Sequence, residues 1–160
     1  MSDSLTIRRA IEADLPALGE LGAQLLQVHY GFDPQRFMAP DEDVAARYAA
    51  FLASQLADDS VVVLVAERRG HVHGYIYAGI EPLSWKELRD EAGFIHDIAV
   101  DEVARRTGVA GQLLDAAIAW LRDRGMPRVV LWTAEPNAAA QQLFASHGFR
   151  RTMVEMTREL

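Results

Sequence analysis

A chain of 160 residues, 50% apolar and 24% charged, can bury a core without staples and has the profile of one soluble globular domain spanning 1–160. Its formal net charge of −7 argues against nucleic acid as a partner, and its lack of cysteine excludes disulfides, thiolate metal sites and a cysteine nucleophile. No apolar run approaches the roughly 20 residues of a membrane helix and no basic-then-apolar leader opens the chain, so a cytoplasmic protein without a membrane partner is expected.

Leu5 to Arg9 alternates and predicts a first strand. Asp14 is placed to cap a helix whose early Pro16 needs no donor, with Leu18, Leu21, Leu25, Leu26 and Val28 on its apolar face. Tyr30 to Pro40 predicts an aromatic loop, and Tyr30 is a candidate substrate contact; the same rings could instead pack onto the core. Asp41-Glu42-Asp43 opens a second helix, carrying acids where the helix dipole favours them. Val61 to Glu67 and Val72 to Ile80 flank Arg69-Gly70 and predict a hairpin. The connection from Glu81 to Gly93 is longer than a hairpin needs and offers Trp85 as a second substrate contact. Its acids (Glu81, Glu87, Asp90, Glu91) suit a cationic acceptor but are as well explained by solvation.

Phe94 to Val100 predicts a strand buried on both faces, followed by a polar turn and a helix with Val109, Leu113, Leu114, Ala117, Ile118 and Leu121 on one side. Gly125 suits the position just past that helix, and Pro127 blocks its continuation. Arg128 to Ala134 predicts a further strand. Pro136-Asn137 opens a last helix ending at Gly148, and Phe149 to Leu160 leaves room for one strand. The order βααβββαβαβ implies a single α/β fold on a mixed sheet, parallel across the central β–α–β crossover and antiparallel in the hairpin.

Strand, small-residue turn and helix make an anion site. The first helical turn leaves N–H groups unpaired, and the peptide dipoles make that end partly positive. Gly108, Ala110 and Gly111 let an anion approach the backbone, and Arg105 and Arg106 add charge beside it. Neither G-x-x-x-x-G-K-[ST] nor G-x-G-x-x-G is present.

Arg105-x-x-Gly108-x-Ala110 matches the [QR]-x-x-G-x-[GA] pyrophosphate loop of the GNAT-type N-acetyltransferases. Asn137-x-x-Ala140-x-x-Leu143-Phe144-x-x-x-Gly148-Phe149 is a second segment similar to that family, and together they extend the resemblance over nearly the whole chain. The resemblance implies the GNAT fold, with the strands at 94–100 and 128–134 splayed apart and the arm of acetyl-CoA in the gap. It implies a cofactor site made by the backbone of Ile98, Ala99 and Val100, by Arg105, Arg106, Thr107, Gly108, Val109, Ala110 and Gly111, and by Asn137, Ala140 and Phe144. Asn137 is equally well placed as a helix cap. A homodimer is expected by family analogy, since a lone terminal strand from Thr152 to Arg158 would leave an unpaired edge.

The implied reaction is acetyl transfer from acetyl-CoA to a primary amine of a small molecule or peptide, in a ternary complex and without a metal. The alternative is a non-catalytic acyl-CoA-binding sensor or partner module of the same fold. His96 and Asp97 lie on the strand that passes the reaction centre, and adjacent strand residues point to opposite faces. An unperturbed histidine has a pKa of about 6.5, so His96 is the first choice of base; Asp97 is the second, or makes a structural bond to a neighbouring loop, or binds the acceptor's charge. A hydrogen-bonded core or interface histidine is the other reading of His96. Phe144 departs from the family's tyrosine, which can protonate the departing sulfur; Tyr30, Tyr75, Tyr77 or a water are the substitutes. Glu102-Val103-Ala104-Arg105 likewise departs from the family's Pro-Glu-Tyr-Arg ahead of the loop.

Overall fold

The computed structural model describes residues 3–160. A five-stranded sheet runs in the spatial order β1 (Thr6–Arg9), β2 (Val61–Arg68), β3 (His71–Glu81), β4 (Ala92–Val100), β5 (Val129–Leu131). The first four strands pair antiparallel, and β5 joins β4 in parallel through the crossover helix α3 (Val109–Asp123). Two helices, α1 (Leu15–Phe32) and α2 (Val44–Gln55), cover one face, and α3 with α4 (Ala138–Ser146) covers the other.

The strand period of two sorts β2 between these layers. Val63 and Val65 pack with Leu18, Leu21, Leu52, Tyr75 and Tyr77 on the α1–α2 side. Val62, Leu64 and Ala66 pack with Ile76, Ala78, Ile95, Val109, Leu113, Leu114 and Ala117 on the α3 side. The apolar stripe anticipated for α3 is the buried one, and Gly125 closes that helix with φ of 77°.

Several expectations need correction. Asp14 does not bond the first turn of α1; its carboxylate turns back to the Ile11 N–H at 2.9 Å and to Arg8 at 2.8 and 3.0 Å. The helix α1 runs through Tyr30 to Phe32, because nothing breaks it before Asp33-Pro34. Strand β5 is three residues long, since β4 offers it partners only from Gly93 to Ile95. The terminal strand is absent: Phe149 to Leu160 carries no regular structure, and Met153, Val154 and Met156 are exposed. Alternating β-formers make a strand only where a neighbour edge and a buried face receive them. The dimer expectation resting on that strand therefore loses its structural premise.

Candidate active site

The centre of the site is a defect in β4. Ile95 pairs with Ala78 and Asp97 with Tyr77, so His96 is an extra residue, a β-bulge. The bulge overturns the expectation that His96 and Asp97 face opposite ways. Both turn to the α1–α2 side, where the His96 ring lies 4.8 Å from that of Tyr77 and Asp97 meets Tyr48 of α2.

Beyond the bulge β4 loses one neighbour. Its pairing with β5 ends at Ile95↔Leu131, while its pairing with β3 continues to Val100↔Gly74. The Asp101 N–H donates to His73 O at 2.7 Å, and alternation back from there sends the backbone groups of Ala99 to β3. Those of Ile98 and Val100 face the side that β5 has left. The Val100 carbonyl accepts from Arg105 Nε at 3.3 Å on that side, in agreement with this phase.

At the same end of the gap lies the turn into α3. Gly108 caps the helix in the left-handed region, φ 83°, and an added Cβ there would meet nothing within 4 Å. Arg106 is left-handed too, at φ 63°, uncommon for a residue with a Cβ. The Gln112 N–H is the first to bond inside the helix, to Gly108 O at 3.1 Å. The N–H groups of Val109, Ala110 and Gly111 thus point out of the helix start without a backbone acceptor among the described residues. Thr107 is exposed, but its hydroxyl is engaged: it donates to Ala104 O at 2.5 Å, tying the turn to the preceding 102–104 segment. Arg105 and Arg106 are exposed, and Val109 is buried. An open turn with outward N–H groups and two guanidinium groups fits a diphosphate. The gap-facing amides of Ile98 and Val100 fit an extended amide-bearing arm.

In front of β4 a cleft of about 2060 Å³ is bounded by α1 and α2, by β4 and β5, and by α4 with the C-terminal segment. That exceeds the roughly 300–1,000 Å³ of a single small-ligand site. Within it, His96 stacks on Phe94 at 5.8 Å and points Nε2 at Glu81 Oε1, 3.0 Å away. If Nε2 carries the proton shared with Glu81, Nδ1 is left as the acceptor. Asp97 Oδ2 accepts the Tyr48 O–H at 2.5 Å, and the Tyr48 oxygen lies 2.7 Å from that of Tyr75. Burial, reinforced by the neighbouring Asp97 charge, pushes both phenols far above their ordinary pKa. Burial raises Tyr77 as well, and its O–H donates to Gln55 Oε1 at 3.0 Å.

Tyr30, Tyr75 and Tyr77 are the substitutes that the sequence offers for the tyrosine replaced by Phe144. Tyr75 and Tyr77 are engaged on the α1–α2 side and are weakened as acids. Phe144 is buried, edge-to-face with Phe149 at 5.9 Å. Asn137 Oδ1 accepts from the Ala140 N–H at 3.2 Å, so the residue caps α4. Tyr30 and Trp85 are not among the residues lining the cleft. Tyr30 lies in the last turn of α1, and Trp85 is 83% exposed at a loop tip. Two of the four loop acids are engaged, Glu81 with His96 and Glu87 with Arg89 at 2.7 Å.

The cleft also contains groups that periodicity did not flag. Tyr48 reads in sequence as one more apolar position of α2. Phe51, 44% exposed, and Trp132, 73% exposed, set their rings edge-on to Tyr77 and Phe94.

Comparison with known proteins accords with this geometry. The sequence is 34% identical over 103 residues to mycothiol acetyltransferase of Cellulomonas flavigena, a match covering 61% of this chain and 29% of that protein. The chain thus spans about a third of the length of such relatives. Among solved structures, a predicted acetyltransferase with acetyl-CoA from Clostridium acetobutylicum superposes with a TM-score of 0.73 at 16% identity, covering 96% of each chain. The aminoglycoside N-acetyltransferase AAC(6')-Iy in complex with CoA gives 0.76 at 19% identity, covering 100% of this chain and 97% of its own. These two likenesses establish the fold. The sequence model of the Acetyltransferase (GNAT) family matches residues 24–149, and the chain belongs to that family.

Proposed function

We propose that this protein is an N-acetyltransferase that moves an acetyl group from acetyl-CoA to the primary amine of a small molecule or peptide. The observation that carries the reading is the parting of β4 from β5 after Ile95, in line with the open turn of α3. The two elements meet a thioester nucleotide at its two recognisable parts, with the amides of Ile98 and Val100 for the arm and the helix start for the diphosphate. Bound acetyl-CoA supplies an activated acetyl group and a thiol leaving group, and thiols such as that of cysteine ionise at about 8.5, low enough to leave as thiolate.

The amine approaches from the α1–α2 side of the cleft. His96 takes a proton from the acceptor's ammonium on Nδ1, and Glu81 at Nε2 steadies the resulting imidazolium. The nitrogen then bonds to the acetyl carbon and the carbon–sulfur bond breaks with its electron pair on sulfur. Of the two protons left on nitrogen, one stays on the amide and the other ends on the thiolate sulfur through water, because Tyr48, which lines the cleft, and Tyr75 and Tyr77 behind it are all weakened as acids. Asp97, already accepting from Tyr48, is the weaker choice of base.

The test is release of free CoA thiol from acetyl-CoA on addition of an amine panel. Amine-dependent release above the buffer rate is expected. Acetyl-CoA binding without such release would instead identify the non-catalytic module.

A further inference from the structure

Tyr48 is set more firmly than an ordinary surface-helix tyrosine. It reaches from α2 towards β4 between α1 and Tyr75, and an added Cβ at Gly22 of α1 would lie 2.1 Å from Tyr48 Cδ1. The glycine is therefore what lets the two helices close on the ring. Phe51 and Tyr75 flank it with centroids at 6.1 Å each. The hydrogen bonds around the ring then run one way. A carboxylate can only accept, so the Tyr48 proton goes to Asp97 Oδ2 at 2.5 Å, and the Tyr48 oxygen takes the proton of Tyr75 at 2.7 Å. Asp97 Oδ1 has no hydrogen-bond partner among the described residues, and Asp97 lines the cleft. Its surroundings there are aromatic: Phe51, Tyr48 and His96 are cleft residues, and Trp132 lies across at the end of β5.

We infer that Asp97 is the anchor for the acceptor's ammonium group and that Tyr48, backed by Tyr75, is the positioning residue that aims it, selecting a cationic primary amine on an aromatic or apolar body. The inference rests on the acetyltransferase reading and names the acceptor class for that site. The chain of donors spends one carboxylate oxygen inside the protein and so fixes the direction of the other. A fixed anion beside π-faces suits an ammonium with an apolar body, since both the charge and the hydrocarbon find partners. The bulge makes the division of labour possible, because it brings His96 to the same face to take the proton while Asp97 holds the nitrogen. On a regular strand the two would work on opposite sides of the sheet.

The test is calorimetric binding of 2-phenylethylamine to the full chain saturated with CoA, where no turnover occurs. Wild type is expected to bind. Tyr48→Phe, which keeps the ring and removes the donor, should weaken the amine on the order of ten-fold while leaving CoA affinity within about two-fold. Tyr75→Phe should weaken it on the order of three-fold, and serves as the second probe if Tyr48→Phe melts early. Failure of wild type to bind the amine, equal binding by wild type and both variants, or parallel loss of amine and CoA would each overturn the inference. Absence of thiol release in the separate turnover assay would instead sink the transfer reading, and the amine-binding result would still decide the role of Tyr48.

Discussion

The two halves of β4 share one strand and differ in nearly everything else. From Ala92 to Ile95 every residue of the strand is buried, and from Gly93 to Ile95 it is paired on both edges. From His96 to Val100 it carries the bulge, keeps only β3 as a neighbour and is open to solvent in varying degree. The first half is held by complementary packing. Gly93 lies so close to α3 that an added Cβ would come within 2.8 Å of Leu121 Cδ1 and Cδ2. The second half gives up pairing and packing, and in exchange presents an imidazole, a carboxylate and backbone amides to a cleft. On the proposed function, the chemistry sits where the sheet stops being regular, and the regular part holds that irregularity in place.

The contrast can be broken from either side, and the largest effect belongs to the open half. Replacing His96 with Ala should lower kcat about 10³-fold, with acetyl-CoA affinity unchanged by calorimetry. Next, Gly108→Glu puts a Cβ at φ 83° and a negative charge at the diphosphate turn. It should weaken acetyl-CoA by roughly 100-fold and also cost about 1–2 kcal/mol of stability, because a side chain at that φ is strained even where no neighbour is met. In the closed half Gly93→Ala should cost about 1–3 kcal/mol in denaturant unfolding, as overpacking against Leu121.

Smaller still is a pH effect remote from both halves. The Arg8 guanidinium, helped by the Ile11 N–H, holds the Asp14 carboxyl below its ordinary range against the opposing effect of burial. A depressed native pKa adds stability that is whole above the unfolded value of about 3.9 and is lost as pH falls through the native one. Asp14→Asn should therefore flatten the acid limb of a plot of melting temperature against pH below about pH 4. The smallest effect is expected where the C-terminal segment touches the loop after α1. Glu155 pairs with Arg36 in the open, and Glu155→Ala should cost less than about 1 kcal/mol, as exposed ion pairs do.

Legibility in the sequence follows the same division. The strand–turn–helix at 94–123 was readable because a glycine-containing turn and an apolar helical stripe mark the residues themselves, and Gly108 caps α3 in the left-handed region. The crossover around α3 was readable because burial writes its period into Val109, Leu113, Leu114, Ala117 and Leu121. The bulge was not readable. Nothing in Ile95-His96-Asp97 announces an extra residue, since the register is set by β3 across the ladder. Tyr48 was hidden for a related reason. Its helical period accounts for a buried ring, and its hydroxyl acquires meaning only when Asp97 and Tyr75 arrive from other strands. The segment after Phe149 misled in the opposite direction, offering strand-like residues without an edge to receive them.

The central claim is that the opened half of β4 and the turn into α3 together hold acetyl-CoA. Residue-resolved amide hydrogen exchange, with and without saturating acetyl-CoA, tests it most directly. The account predicts new protection at Ile98 and Val100 and at the first turn of α3, and little change at Ala99, whose backbone is already paired with β3. Exchange at Ile98 and Val100 that stays as fast with ligand as without would contradict it.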